Sequence, residues 1–249
     1  MDFGAVIQGT ASGIGHLANT AAQANMDLGT KLVLDDGRIF RYTENGATAQ
    51  VVGALIEGKP HVSGDVDLAI DATVAAGAES VTITTTQTTA ADYYADGWMI
   101  VSKAADALAL GQVTRVESHL VFANSAGHVI TLSEDAPIIV ATAAADEVSF
   151  SPNIWSENVI AATTLAGMLI GVCSSARTAD YFGWTQRGGV AAISSATSTV
   201  IGNHLECTTA AAGRAGVPAA GGVLPTIGIV MTIASAADEC DTCFMTLDQ

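Results

Sequence analysis

Apolar and polar residues alternate in short segments along most of this chain. Ser80-Val81-Thr82-Ile83-Thr84 places Val81 and Ile83 on one face of a strand, and Gln112-Val113-Thr114-Arg115-Val116 follows the same pattern. A period of two predicts half-buried β-strands. This recurrence, without alternating strands and helices, is typical of an all-β sandwich or barrel. The predicted strands cover residues 66–71, 80–86, 97–102, 112–118, 128–133, 147–150, 168–173, 181–187, 190–193, 200–205, 227–233 and 242–247.

Dipeptides that contain glycine give the clearest turn signals. Asp36-Gly37 separates two apolar-rich runs, and a two-residue hairpin is predicted there because glycine adopts a positive φ without steric cost. Asp35 would then face Arg38, in an exposed ion pair that contributes under about 1 kcal/mol. Asn45-Gly46 predicts the next turn, and Gly188-Gly189 predicts a tight hairpin between two later strands.

Changes in pattern divide the chain into three predicted parts. Residues 1–30 are small and polar, and form an N-terminal arm in which residues 17–27 are either a short helix or extended. Residues 31–152 form a middle β domain that begins with the Asp36-Gly37 hairpin. Pro152-Asn153 marks the next boundary, and residues 153–249 form a C-terminal β domain. Each β domain is expected to be a sandwich or barrel.

The composition narrows the classes of partner. The 249 residues include nine Lys plus Arg, and the formal net charge is −16. Nucleic acids and anionic membranes are bound through cationic contacts, so neither partner is expected. The longest apolar run, from Leu165 to Cys173, has nine residues, whereas a membrane-spanning helix needs about 20. No targeting segment is recognised, so we expect a soluble protein made without export.

The mean hydropathy of +0.40 is high for a soluble monomer. Apolar surface buried between subunits and a merely alanine-rich chain explain this value equally well.

The four cysteines are too few for a disulfide framework. Cys240-x-x-Cys243 stands alone, without the second ligand pair of a tetrahedral metal site. The thiols are therefore predicted to be buried or incidental, and a metal or redox role for Cys240 and Cys243 stays open.

The segment from Gly9 to Gly15 (GTASGIG) resembles the glycine-rich turn of short-chain dehydrogenases, in which the backbone approaches a pyrophosphate. That site requires a buried strand before the turn and an acidic residue that completes a βαβ unit. Residues 4–8 are barely a strand, and the acidic residue is missing. The enzymes also contain a Tyr-x-x-x-Lys pair, and none of the four tyrosines here has a lysine four positions on. A dehydrogenase is therefore disfavoured.

Other side chains with catalytic potential are scattered. The sequence contains no Gly-x-Ser-x-Gly elbow. Paired acids fall at predicted turns, where solvated carboxylates are expected, although a weak Ca²⁺ site stays open there. The sequence thus predicts no catalytic, cofactor-binding or metal-ligating residue, and no enzyme. The histidines, expected at exposed or edge positions, are His16, His61, His119, His128 and His204, and the paired acids are Asp35-Asp36, Glu134-Asp135, Asp146-Glu147 and Asp238-Glu239.

Three segments in order carry a family resemblance. They are Leu28–Tyr42 (LGTKLVLDDGRIFRY) with Asn45–Ala49, Ala91–Val101 (ADYYADGWMIV) with Thr114–His119, and Tyr181–Ala191 (YFGWTQRGGVA). A later Ile227–Met231 strand fits as well. Together they resemble the decoration (cement) proteins on the outside of HK97-type capsids of tailed phages. The resemblance extends over about residues 28–249.

The resemblance implies a mainly β virion protein without catalytic residues or cofactors. It implies a homotrimer that binds the major capsid protein at three-fold positions on the outer capsid surface, after assembly in the host cytoplasm. Cys240–Cys243 departs from the family, because an aromatic or aliphatic strand is expected there. The alternative is a head-fibre or tail-associated protein that binds a receptor or glycan and exposes aromatic side chains in a groove.

The aromatic residues near position 182 give a local prediction. Phe182 and Trp184 lie two residues apart and therefore share one face of a strand, whereas Tyr181 points the other way. The two side chains are expected to pack together and to anchor the C-terminal hairpin.

Overall fold

The computed structural model describes residues 6–10, 17–123, 126–196, 199–208, 210–218, 224–233 and 239–248. These residues contain strands, turns and bends but no helix, which confirms the predicted all-β fold. Within the same residues, no helix suitable for crossing a membrane occurs. The strands are β1 (Val6–Gly9), β2 (Asn19–Thr20), β3 (Lys31–Leu34), β4 (Ile39–Glu44), β5 (Leu55–Glu57), β6 (Leu68–Ala69), β7 (Ser80–Thr85), β8 (Trp98–Lys103), β9 (Val113–His119), β10 (Ala126–Leu132), β11 (Glu147–Ser151), β12 (Val159–Ile160), β13 (Leu169–Cys173), β14 (Phe182–Ser194), β15 (His204–Cys207), β16 (Ala215–Gly216), β17 (Thr226–Thr232) and β18 (Cys240–Thr246).

The chain forms two compact units. Met1–Pro60 and Ile154–Gln249 form the first, here the sheet unit, and His61–Asn153 form the second, here the barrel unit. This division differs from the predicted one, because residues 31–60 belong with the C-terminal residues. Strand β4 pairs with β14 from Phe182 to Gly188, and β5 pairs with β12 and β13. Residues 61–153 are thus inserted between the two parts of the sheet unit. The sequence pattern did not predict this insertion, because local alternation carries no information about which distant segments pair.

The sheet unit is organised around one long strand. Its main strand order is β1-β3-β4-β14-β18-β17-β15-β16. The first half of β14 pairs with β4, and the second half pairs with β18 from Gly188 to Ser194. Apolar residues of β13, β14, β15, β17 and β18 form one core cluster, which includes Leu169, Ile193, Leu205, Val230 and Met245.

The predicted hairpin at Gly188-Gly189 is wrong, because β14 runs through both glycines without turning back. The register with β4 shifts between Gln186 and Gly188, which marks a bulge. Gly189 has a φ of +77°, and a Cβ atom there would lie 2.9 Å from the carbonyl oxygen of Gly37. The glycines thus let a bulged strand pass close to the β3–β4 turn.

Replacing Gly189 by alanine is expected to destabilise the sheet unit by about 2–3 kcal/mol, from positive-φ strain and the backbone collision together. Gly37→Ala is the matched control, since its φ is +84° but nothing lies within 4 Å of the new Cβ. It should cost about 1 kcal/mol. Urea unfolding of both variants measures the difference, and equal losses would contradict the close approach.

The β3–β4 hairpin also differs in detail from its prediction. Leu34 and Arg38 remain hydrogen-bonded, so the loop is the three residues Asp35, Asp36 and Gly37, with Gly37 at positive φ. Arg38 therefore pairs with Asp36, at 2.7 Å between Nε and Oδ2, and not with Asp35 as predicted.

One further local prediction is corrected, and one that was left open is decided in favour of an extended segment. Asn45-Gly46 forms no turn, since Asn45 makes a parallel bridge to Asn158. Residues 17–27 form no helix and contain β2, which pairs with β14 at Phe182 and Gly183. In the predicted N-terminal arm, β1 pairs in parallel with β3. Backbone hydrogen bonds to the sheet supply the order that this small, polar segment could not supply by itself.

The barrel unit is a nearly closed ring of six antiparallel strands. Its order is β6-β11-β8-β9-β10-β7, and a bridge between Ile70 and Ile83 joins the two ends of that order. The N–H of Asp71 donates to Thr82 O at 2.9 Å beside this bridge. This bridge leaves less free strand edge than an open sheet has. Inward residues of all six strands fill the interior with one apolar cluster, in which Tyr94, Phe122 and Phe150 are the largest rings.

Candidate interaction surfaces

Two histidines of the barrel unit, His119 and His128, are buried, contrary to the prediction of exposed or edge positions. His119 and His128 are 4% and 9% exposed, and both rings pack at a tilt against Phe122 at centroid distances of 4.5 and 5.3 Å. His119 Nε2 accepts the backbone N–H of Tyr94 at 3.1 Å, and Nδ1 lies 2.8 Å from Leu120 O. This bonding fits the neutral Nδ1–H tautomer. The ring therefore serves packing.

The structure describes two further histidines, which are not buried with this pair. His61 and His204 are exposed, and His16 lies outside the described residues, as do residues 11–15 of the dehydrogenase-like glycine segment. Of that segment, Gly9 ends β1 and Thr10 follows it.

A buried carboxylate lies beside the aromatic core of the barrel. Asp65 is fully buried, and its Oδ2 accepts hydrogen bonds from the hydroxyls of Thr89 and Tyr94, both at 2.6 Å. Burial, the Asp65 hydrogen bond and the Asp65 charge all raise the pKa of Tyr94 far above its ordinary value. Asp65 follows Gly64 in a turn-like sequence, so composition gave no signal that it is buried.

The four cysteines form no disulfide bond. Cys173, Cys207 and Cys243 are buried and Cys240 is exposed, and all four are free thiols. Burial raises the pKa of Cys207 and of Cys243 to about 12, so both stay protonated and unreactive at neutral pH. Cys240 and Cys243 are three positions apart in β18 and therefore point to opposite faces of the sheet. Among the described residues, no three His, Cys, Asp or Glu side chains are placed to share a metal ion.

The paired acids have different environments. Asp146 is buried, not solvated as predicted, because its two carboxylate oxygens accept the N–H groups of Ala105 and Ala143 at 2.9 and 2.8 Å. Glu134 and Asp135 are exposed and line a shallow pocket of about 300 Å³ on the barrel unit. Asp238 lies outside the described residues.

The pocket lies next to an exposed tryptophan. Arg115, which lines it, pairs with Asp96 at 2.6 Å and lies directly opposite Trp98 in the β8–β9 register. Trp98 is 47% exposed on the outer face of the barrel. An aromatic face beside carboxylates and a guanidinium is a polar surface on which a hydroxylated ligand can stack and form hydrogen bonds. The other lining residues are Val116, Glu117 and Ser133.

Three of the nine basic residues of the chain meet a single carboxylate in the sheet unit. Asp248 lies 3.3 Å from Lys31 Nζ, 2.7 Å from Arg41 Nε and 3.8 Å from Arg187 Nε. Partial burial alone would raise the pKa of Asp248, but Arg41 and Lys31 outweigh it and the pKa is lowered. Both guanidinium groups also lie within 5.6 Å of the Trp155 ring centroid. This cluster fixes the segment after β18 to β3, β4 and β14.

Four neighbouring strands of the sheet unit, β14, β18, β17 and β15, present an uncharged surface. Val190, Phe244 and Ile229 lie directly opposite one another on β14, β18 and β17, and His204 of β15 follows in the same row. The first three side chains are 43%, 45% and 39% exposed. All residues of these four strands are described, and their exposed positions carry no Asp, Glu, Lys or Arg. These positions are Val190, Ala192, His204, Thr226, Ile229, Met231, Thr232, Cys240, Phe244 and Thr246.

This surface, here called the apolar row after Val190, Phe244 and Ile229, was missed by the sequence reasoning. A signal existed, because the 227–233 and 242–247 segments are apolar at positions on both faces of the predicted strands. On a chain of net charge −16, an uncharged sheet face with aligned apolar residues is typical of a surface that contacts another protein.

Comparison with protein-family models, with curated proteins and with solved structures gave no match.

Proposed function

We propose that this chain is a structural virion protein that binds the outer surface of a phage capsid and stabilises its lattice, as a homotrimer that contacts the major capsid protein. The observation that carries the proposal is the apolar row. Its aligned exposed residues and the absence of exposed charge on the four described strands fit a protein contact. The three segments that resemble capsid decoration proteins indicate which protein that partner is.

The dimensions of the face suit repeated, modest contacts. Four strands spaced about 4.8 Å apart span about 15 Å. A standard protein interface, which buries about 800 Å² per partner, is about twice as wide as these four strands. A contact of this size is weak in isolation, but a trimer that engages several identical sites on a lattice binds far more tightly than one copy. The acidic charge on the rest of the chain keeps decorated particles apart in solution.

The proposal predicts saturable binding to undecorated capsids that is lost when charge enters the apolar row. Phe244→Glu should weaken binding at least about tenfold, because an unpaired carboxylate would be desolvated in the contact. Val129→Glu is the control, since Val129 is 55% exposed on the barrel unit. Sedimentation of the protein alone and with capsids measures both the trimer and the binding.

The possible outcomes test the proposed function and the proposed contact surface separately. A monomeric wild-type protein that ignores capsids would remove the proposed function. Wild-type binding that Phe244→Glu leaves unchanged would keep the function and move the contact away from the apolar row.

A second candidate, a head-fibre or tail-associated glycan-binding protein, is favoured by one observation. Trp98 is exposed next to the pocket that Asp96, Arg115, Glu117 and Glu134 line. Sugar rings stack on aromatic faces while their hydroxyls bind carboxylates and guanidinium groups. If capsids are not bound, a glycan array with wild-type protein and Trp98→Ala is the next experiment. Glycan binding that Trp98→Ala abolishes would establish this candidate.

A further inference from the structure

The most unusual buried group of the sheet unit is the guanidinium of Arg177, which is 1% exposed. Nη1 donates to Thr43 Oγ1 at 2.7 Å and lies 3.4 Å from Thr185 Oγ1. Nε and Nη2 are buried and have no hydrogen-bond partner. Burial lowers the pKa of Arg177, yet the ordinary value is so high that the group stays charged. A buried charge with unsatisfied N–H groups is costly, so this edge of the side chain requires a ligand.

Unsatisfied acceptors belong to three residues that backbone bridges and hydrogen bonds link to Arg177 or to its neighbours. The amide oxygens of Asn45, Gln50 and Asn158 are buried and have no partner either. Gln50 is the direct antiparallel bridge partner of Arg177, so both side chains project from one face there. Gln50 Nε2 donates to Asn158 O, and Asn45 Nδ2 donates to Thr178 O. Asn45 and Asn158 form a bridge of their own. The four residues therefore form one buried polar cluster.

The unsatisfied atoms include N–H donors and oxygen acceptors, and this combination determines which ligand fits. A chloride or carboxylate accepts hydrogen bonds from Arg177, but it repels the three amide oxygens and donates nothing to them. A second cation is attracted by the amide oxygens, but it is repelled by Arg177 and accepts no hydrogen bond from it. Water both accepts and donates, and one molecule provides two of each. Three unsatisfied oxygens need at least two water molecules, because each molecule donates at most twice.

We infer that Arg177, Asn45, Gln50 and Asn158 form a binding site for a cluster of at least two internal water molecules. The water accepts from Nε and Nη2 of Arg177 and donates to the amide oxygens. It joins segments that lie over 100 residues apart in the chain, so it acts as a crosslink inside the sheet unit. Gly183 is part of the enclosure, because a Cβ atom there would lie 3.1 Å from Arg177 Nε.

A crystal structure of the wild-type protein grown with sodium bromide tests the ligand class. We expect water density about 2.7–3.2 Å from Arg177 Nε or Nη2 and from the amide oxygens, without anomalous signal. A bromide peak beside Arg177 would make the site an anion site and overturn the inference. Direct bonds from Nε and Nη2 to protein oxygens, with no water within reach, would overturn it as well.

Water relaxation dispersion in solution gives an independent count of long-lived internal water molecules. Gln50→Met keeps the side-chain length but removes one acceptor, and should lower the count by at least one. Gln112→Met is the matched control, since the Gln112 amide bonds Val140 O and the N–H groups of Ile139 and Val140 in the barrel unit. An unchanged count in a folded Gln50→Met variant contradicts the inference.

Discussion

Replacing Trp184 by alanine is expected to lower the free energy of unfolding of the sheet unit by about 3–5 kcal/mol. Trp184 is 6% exposed and lies opposite Tyr42 in the β4–β14 register. The two rings meet edge to face at 5.3 Å, and Phe182 also stacks on Tyr42 at 6.3 Å. Removing the indole leaves a cavity among Leu32, Leu34 and Phe40 that the rigid strands cannot close.

Trp98→Ala provides the control for this variant. Trp98 is 47% exposed on the barrel unit, so its removal should cost about 1 kcal/mol or less. Urea unfolding followed by far-UV circular dichroism measures both variants. If Trp184→Ala unfolds at the wild-type urea concentration, Trp184 does not pack as described.

The aromatic cluster shows what local pattern predicts well. The alternation of residues 181–187 placed Phe182 and Trp184 on one face, and both rings contact Tyr42 in the same apolar region. The hairpin that they were predicted to anchor is absent, because β14 continues through Gly188 and Gly189. Most predicted strands are present within a few residues, as with 80–86 against Ser80–Thr85. A period of two shows which face of a strand is buried, and neighbouring residues alone are enough to reveal it.

The errors arise where long-range pairing decides the structure. Gly188-Gly189 has the composition of a hairpin, but β18 pairs with β14 across both residues and keeps the chain extended. The insertion of residues 61–153 was missed because β5 and β12, which flank it, are three and two residues long. Strands this short give almost no periodic signal. Buried polar residues such as Asp65 and Arg177 were missed for a related reason, since their partners lie far away in sequence.

Asp65→Ala is expected to destabilise the barrel unit by about 3–5 kcal/mol. The variant leaves the hydroxyls of Thr89 and Tyr94 buried without their acceptor, and each such group costs about 1–3 kcal/mol. Tyr94→Phe is the informative comparison, because it removes one hydroxyl and leaves the Thr89 bond intact. It should cost about 1–2 kcal/mol. Equal losses in the two variants, measured by urea unfolding, would mean that Asp65 does not hold both hydroxyls.

The same cluster predicts a loss of stability in alkali. Burial, then the hydrogen bond and charge of Asp65, raise the folded-state pKa of Tyr94 above its ordinary value of 10.0. A group with a raised pKa contributes stability that is complete below its unfolded pKa and is lost as pH rises above it. The wild-type urea midpoint should therefore fall more steeply above about pH 10 than that of Tyr94→Phe, which has no phenol to ionise at this position. Parallel curves for the two proteins would show that the Tyr94 hydroxyl is not held protonated by its burial against Asp65.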